Sequence, residues 1–487
     1  MKIIEISIML LYFIFIIILG RYAQTRIKTS QSSTTEYYVA GRRVGTGVNA
    51  LALMAALGSG GSFMAGVGSV WELGLPFITW QTLGSIAGFA LASVLVAKPM
   101  RNSRLFTVTD FLVDRYEHSF FKIAVPLVII IGSGMYLMSQ MTAGGLIGSY
   151  VTGLSYEWGV VIIALVFILY VALGGMLAVT WTNILQGAMM VLLISIVCIG
   201  AIINLPMPYP DFLLNATNEN PALGTVGETM PVAGYIGAFT TWAVAVCVIP
   251  HLLMRIFTAT DDRSAKLSMN IGMLTYGSLM VGTVLLVTPF IALLSNSLLE
   301  ANPSDMWLLL IAEQFFGPII MGVLAAGIMA AVMSSVDALL LAVSSAVAYD
   351  LYKGWHKPKA TQRQVLKVSA ISTWVIGLVV MVLSLNPPDF LVVLYTAAVG
   401  FMAASLFGPL VLGIWWKRAN HSGAIVGLLV GSVSYLIAFF GFELPYNSEI
   451  LIALPLSIVA LVSVSALTEK PSQEAINRMA IYHEREV

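Results

Sequence analysis

Two stretches of this sequence combine residue types that bind cations with a spacing that brings them together. The first is AALGSGGSF, residues 55–63. Its glycines, Gly58, Gly60 and Gly61, each cost about 1 kcal/mol in a helix interior, and Ser59 and Ser62 accompany them. In an apolar run this cluster reads either as close helix packing through small residues or as a deliberate unwinding. Unwound backbone at membrane depth survives only where protein or a polar cavity satisfies it. Its freed carbonyls and half-helix ends then bind ions and substrate. The second stretch is GIMAAVMSSVDALLLAVSS, residues 327–345, in which Ala331, Ser334 and Ser335 share a helix face at i, i+3 and i+4. Two hydroxyls beside a carbonyl suit Na⁺, a hard cation; the alternative is serines bonding back to their own helix. Asp337 follows Ser334 by one turn. A carboxylate near mid-span costs about 2.5–3.5 kcal/mol and marks function by default. A neutral, hydrogen-bonded acid is the other reading, and proton coupling through Asp337 is the rival to sodium coupling.

Further polar residues within apolar runs are Gln81, Tyr136, Gln140 and Trp242. With Ser59, Gly60 and Ser62 they are candidates for the lining of a small substrate cavity, although each alone suits interhelical hydrogen bonding. The sequence places no Lys or Arg deep in a helix, so an anionic group on a substrate is expected to meet dipoles and hydroxyls. His251, next to Pro250 and without a second histidine nearby, reads as structural. No metal-ligand spacing, phosphate loop or nucleophile constellation is present, so neither an enzyme nor a cofactor beyond a coupling ion is expected.

The elements that must position these residues are membrane helices. The chain has 487 residues, 59% hydrophobic and 10% charged, against roughly 25% charged in soluble domains; mean hydropathy is +0.91. This excludes a water-soluble enzyme. A net charge of zero offers no field for a nucleic acid. Cys198 and Cys247 lie inside apolar runs, which argues against a structural disulfide. Spans are expected at 3–22, 47–73, 76–97, 121–152, 155–174, 182–205, 233–255, 266–295, 308–349, 365–386, 389–415, 421–441 and 449–468, thirteen in all. With thirteen, the basic clusters around Arg43, Arg101, Arg263, Lys359, Lys417 and Arg478 fall on one side. The loops 206–232 and 296–307 hold acids but no Lys or Arg. The positive-inside rule then puts the N-terminus outside and the C-terminus in the cytoplasm of a cell-membrane protein.

Two motifs resemble the sodium/solute symporter family: LYVALGGMLA (169–178) and GIWWKRANHSGAIVGLLVGSV (413–433). The resemblance covers essentially the whole chain. It implies one all-α transmembrane domain with a leucine-transporter-like fold: a helix at 3–22, inverted five-helix repeats at 45–205 and 233–415, two helices within 421–468, and a tail at 469–487. It implies a sodium site made of carbonyls of Ala55, Gly58 and Ala331 and hydroxyls of Ser334 and Ser335. Some members place an Asp in a WTD motif after the fifth-helix signature for a second sodium. This chain reads WTN, with Asn183, so one coupling ion is expected, with Asn183 and Asp337 as its possible support. IPHLLMRIFTATDD (249–262) is similar to the branch of proline, pantothenate and short-chain monocarboxylate transporters. Trp242 matches an aromatic of proline transporters, but Val246 stands where a second aromatic belongs. The expectation is therefore sodium-coupled uptake of a small monocarboxylate, pantothenate or an acetate- or pyruvate-like acid, by alternating access. Sodium/proline symport is the alternative. A membrane sensor with a transporter-like input domain is the reading from another class, disfavoured by the short tail. The partners expected are substrate, Na⁺ and lipid, with no nucleic acid or obligate protein.

Overall fold

The computed structural model describes residues 3–28, 38–386 and 391–483; within these, the side chains of 19–21, 23–28, 170 and 173–178, which include the glycine pair of the 169–178 motif, lie outside the description. Among the described residues the regular elements are all helical. Those that matter here are α1 (Ile3–Lys28), α2 (Thr46–Leu57), α3 (Gly60–Leu73), α4 (Leu75–Leu95), α5 (Phe121–Thr152), α6 (Tyr156–Ile203) and α7 (Val232–Ala245). They are followed by α8 (Pro250–Thr258), α9 (Asp262–Val287), α10 (Gly317–Ser345), α11 (Gln362–Leu383), α12 (Leu391–Phe407), α13 (His421–Gly441), α14 (Ile450–Leu467) and α15 (Gln473–His483).

Local sequence sets the ends. Asp261 caps α9 by accepting the Ser264 N–H at 2.7 Å, and Asn420 caps α13 through Gly423 at 2.9 Å. Thr361 and Gln364 form a reciprocal capping box at the start of α11. Gly74, at φ +88°, turns the chain between α3 and α4; a Cβ there would also lie 2.4 Å from the Ala222 carbonyl oxygen.

Among the described residues ten helices are long and apolar enough to cross a bilayer, and α2 with α3, bent by 50°, makes an eleventh. The stretches Ile3–Ile18 and Tyr156–Leu169 are apolar but shorter, 10–17 residues, so thirteen full-length spans are not found among the described residues. The break expected between the spans at 155–174 and 182–205 is also absent. Helical backbone runs through all 48 residues of α6. At about 1.5 Å per residue that length exceeds one bilayer crossing twofold, so α6 carries two apolar stretches within one helix. The expected ninth span, 308–349, is interrupted instead: Gly317, at φ +83°, separates α10 from the turn before it.

Burial decides which helices are central. In the most apolar 18-residue stretch of the span Ser304–His356, which contains α10, 83% of residues are buried, and in that of the span containing α12 89% are, whereas the figures for α13 and α14 are 39% and 33%. α10 packs on α6 and α5, α12 on α5, and α2 on α6 and α9. The broken helix therefore lies against the most enclosed part of the bundle. Helix α15 is held at one end of the bundle by Arg478, which pairs with Asp114, Glu117 and Glu474.

Candidate functional site

The 55–63 stretch is unwound. α2 ends at Leu57, Gly58 takes ψ 100°, Ser59 is extended at φ −116°, ψ 171°, and α3 starts at Gly60. Carbonyls at a helix C-terminus have no intrahelical partner, and three of them here meet serine hydroxyls. Ser334 Oγ donates to the Ala55 carbonyl at 2.7 Å and lies 2.8 Å from that of Ala331. Ser335 Oγ reaches the Ala56 carbonyl at 3.3 Å, and Ser62 Oγ reaches that of Leu57 at 3.3 Å. Ala55, Ala331 and Ser334 thus converge, with Ser335 beside them on Ala56. Gly58 stands at the C-cap, where its N–H closes onto Met54. A cation seated here replaces hydroxyl hydrogens as the partner of these oxygens, and the hydroxyls become ligands by turning their lone pairs inward.

The close-packing reading of the glycines holds as well. A Cβ on Gly60 would come within 2.6 Å of Val332 and 2.8 Å of Ala143; one on Gly61 would meet two Tyr395 ring atoms at 2.5 Å. Both glycines let the restarted helix approach α5, α10 and α12. The variant Gly61→Ala is expected to lose about 1–3 kcal/mol of stability from overpacking. Thermal unfolding in detergent should show a lowered midpoint; a wild-type midpoint overturns the close-packing reading.

Above this break sits a buried cluster. Gln140 Oε1 accepts the Gly60 N–H at 3.0 Å, satisfying an orphan donor of the first turn of α3. Ser59 Oγ caps the same turn by accepting the Ser62 N–H at 3.2 Å and lies 3.2 Å from Ser62 Oγ. Gln81 Nε2 donates to Tyr395 Oη at 2.8 Å. The Tyr395 ring lies 6.0 Å from both Tyr136 and Trp242. Ser59, Ser62, Gln81, Tyr136, Gln140 and Trp242 are all buried. Gln81 Oε1 and Trp242 Nε1 are buried without a partner. The predicted cavity residues therefore come together, with a member the sequence reading did not include. Tyr395 had one available signal: a lone tyrosine in an apolar run needs a partner for its hydroxyl. It supplies the second aromatic that Val246 does not. Val246 instead packs against Gly88 of α4.

Asn183 and Asp337 are fully buried, on α6 and α10. Thr182 Oγ1 donates to Asp337 Oδ2 at 3.2 Å. With its amide oriented to satisfy both ends, Asn183 Oδ1 accepts from Arg255 Nη2 at 2.6 Å and its nitrogen donates to Val179 and Gln186. Arg255 Nη1 donates to Thr180 Oγ1 at 2.9 Å. Arg255, at the end of the span expected at 233–255, is 0% exposed, as is Arg115. As a basic residue near the end of an apolar run Arg255 reads as a loop position. The short helix α8 turns it inward against α6 instead. His251 is buried too, edge-on to Tyr136 at 5.8 Å, with both ring nitrogens unpartnered.

Comparison with known proteins agrees with this architecture. Residues 37–431 match the profile of the sodium:solute symporter family. The osmoregulated proline transporter OpuE of Bacillus subtilis is 30% identical over 483 residues, covering 96% of each chain. Sodium/proline symporter 2 of Staphylococcus saprophyticus is 27% identical, covering 95% of this chain and 92% of that one. Among solved structures, a Na⁺-coupled sialic acid symporter in a substrate-bound, outward-open state superposes with a TM-score of 0.82 at 18% identity, covering 96% of this chain and 98% of that one. MhsT in complex with L-phenylalanine gives 0.55 at 16% identity, covering 90% and 98%. These likenesses show the fold, a leucine-transporter-like arrangement. The multi-span chain is a cell-membrane transporter of the sodium:solute symporter family.

Proposed function

We propose that this chain is a sodium-coupled symporter of proline or a closely similar small amino acid, working by alternating access. The observation that carries the substrate is the unpartnered Gln81 Oε1 in a cluster that also holds Tyr395, Tyr136 and Trp242. A buried acceptor without a donor costs about 1–3 kcal/mol. The secondary ammonium of proline supplies that donor, and aromatic faces attract its charge and pack its ring. The carboxylate is served by Trp242 Nε1 and the hydroxyls at the N-terminus of α3, where the helix dipole favours an anion. Acetate or pyruvate, which carry no donor, leave Gln81 Oε1 unsatisfied. The proline-transporting relatives support the same choice over the monocarboxylate first expected.

Sodium is proposed to bind at Ala55, Gly58, Ala331, Ser334 and Ser335, one ion per substrate. Proposed with it are thirteen spans in the arrangement 3–22, 45–205, 233–415 and 421–468, with an external N-terminus and a cytoplasmic tail. Uptake into proteoliposomes of labelled proline, pantothenate, acetate and pyruvate, under a sodium or a proton gradient, tests the reading. Proline is expected to accumulate only with inward sodium, carrying net positive charge inward. Accumulation of an acid but not proline, or drive by protons alone, overturns it.

A further inference from the structure

A cavity of about 180 Å³ lies where the segment 442–449, between α13 and α14, meets α12. None of its lining residues belongs to the sodium or substrate clusters described above. Three polar side chains that line it are more than nine-tenths buried: Tyr435 is 2% exposed, Glu449 7% and Asn447 8%. Among the described residues their hydroxyl, carboxylate and amide have no hydrogen-bond or ion-pair partner on another residue. Aromatic rings form the walls. Phe439 stacks on Tyr435 with centroids 6.4 Å apart, and Phe442 and Tyr446 complete them. Aromatic residues gather at membrane interfaces in general; here they surround a buried carboxylate that lacks a counter-charge. Among the described residues no Lys or Arg lines the cavity, and the exposed Glu443 adds a second acid. The cavity lies at the end of the bundle where the loop 206–232 enters α7, since a Cβ on Gly237 would stand 2.4 Å from the Asn447 carbonyl oxygen. That loop and the segment 442–449 hold acids but no Lys or Arg.

A buried carboxylate without a partner is strongly unfavourable, and a cation in the cavity relieves it. The lining selects which cation. Sodium takes a shell of oxygens, whereas most of this wall is ring carbon, whose faces attract an organic ammonium. The oxygens of Glu449, Asn447 and Tyr435 are three acceptors, matching the three N–H bonds of a primary ammonium. The volume is below the roughly 300–1,000 Å³ of drug-sized pockets, so the ligand is small. We propose that this cavity binds a small primary ammonium cation, with Glu449 as its counter-charge, Asn447 and Tyr435 as further acceptors, and the rings as its walls. Thr396 of α12 lines the same cavity, so an occupant bears on the helix that carries Tyr395. A free amine and the ethanolamine headgroup of a lipid share this chemistry. Both can reach the cavity, because α13 and α14 are among the least buried spans.

Binding of radiolabelled ethanolammonium to the purified full-length protein in detergent, at fixed ionic strength, tests this. Ethylene glycol is the uncharged competitor and NaCl the sodium arm. Saturable binding is expected, and ethylene glycol should not displace it. Glu449→Gln should weaken it roughly tenfold or more, and Tyr435→Phe, which keeps the ring, about threefold. Asn447→Asp, which adds a second carboxylate, should tighten it severalfold and gives a test even if Glu449→Gln does not fold. Absence of saturable binding in the wild-type protein means that Glu449 is neutral, and overturns the site. Equal affinity in Glu449→Gln or in Asn447→Asp, or displacement by ethylene glycol, overturns it as well. Displacement by NaCl at lower concentration than by unlabelled ethanolammonium makes the cavity a sodium site and overturns the organic ligand. Nanodiscs separate the two sources. Loss of label binding when phosphatidylethanolamine replaces phosphatidylglycerol supports a lipid headgroup as occupant, and unchanged binding supports a free amine. None of these readouts depends on which substrate is transported.

Discussion

Removing both hydroxyls, in Ser334→Ala/Ser335→Ala, is expected to raise the half-saturating sodium concentration by about ten- to several-hundred-fold. A dehydrated Na⁺ is held by oxygen atoms that must replace its water shell. In this structure Ser334 Oγ stands 2.7 Å from the Ala55 carbonyl and 2.8 Å from that of Ala331, with Ser335 Oγ 3.3 Å from Ala56. Deleting two ligands forfeits a few kcal/mol, and about 1.4 kcal/mol is one decade in affinity. The same substitutions leave the Ala55 and Ala56 carbonyls without hydroxyl donors, so sodium-free stability also falls, by about 1–3 kcal/mol per orphaned group. The two effects separate in measurement: one is a shift in the sodium dependence of uptake, the other a lower melting midpoint in sodium-free buffer. A double mutant that melts early but keeps wild-type sodium dependence places the ion elsewhere.

Tyr395→Ala should raise the half-saturating substrate concentration by roughly 30- to 150-fold, corresponding to about 2–3 kcal/mol for an aromatic side chain buried against ligand and neighbours. Its ring lies between Tyr136 and Trp242, 6.0 Å from each, and its hydroxyl orients Gln81 at 2.8 Å. Tyr395→Phe keeps the ring but strands Gln81 Nε2, and a smaller loss, about tenfold or less, is expected from one neutral hydrogen bond. Sodium affinity measured without substrate should change little in either variant, since the Tyr395 hydroxyl bonds Gln81 and its ring lies against Tyr136 and Trp242. Concentration-dependent uptake of labelled proline is the measurement. A half-saturation within twofold of wild type in Tyr395→Ala removes the aromatic cluster from the binding site.

Much of this arrangement is legible in the chain itself. Apolar run length fixes the membrane class. The glycine-serine cluster at 55–63 and the spacing of Ala331, Ser334 and Ser335 mark the segments that the structure brings into contact. These signals are local: a helix breaks where glycines and serines accumulate, and residues three and four apart share a face whatever packs against them. Tertiary structure decided what local pattern does not encode. Tyr395 reaches Gln81 from 314 positions away, and no periodicity in either helix records which helix faces which. Asn183 stands at a position read as possible ion support, yet its oxygen faces Arg255. That arginine follows an apolar run as loop residues do, and only the inward turn of α8 buries it. α6 stays helical through the expected break because backbone hydrogen bonds tolerate an interior glycine pair at a modest cost. Sequence determined the membrane class and the segments where a helix breaks or presents hydroxyls; packing decided which of those residues meet, because burial and hydrogen-bond pairing are settled between helices rather than along them.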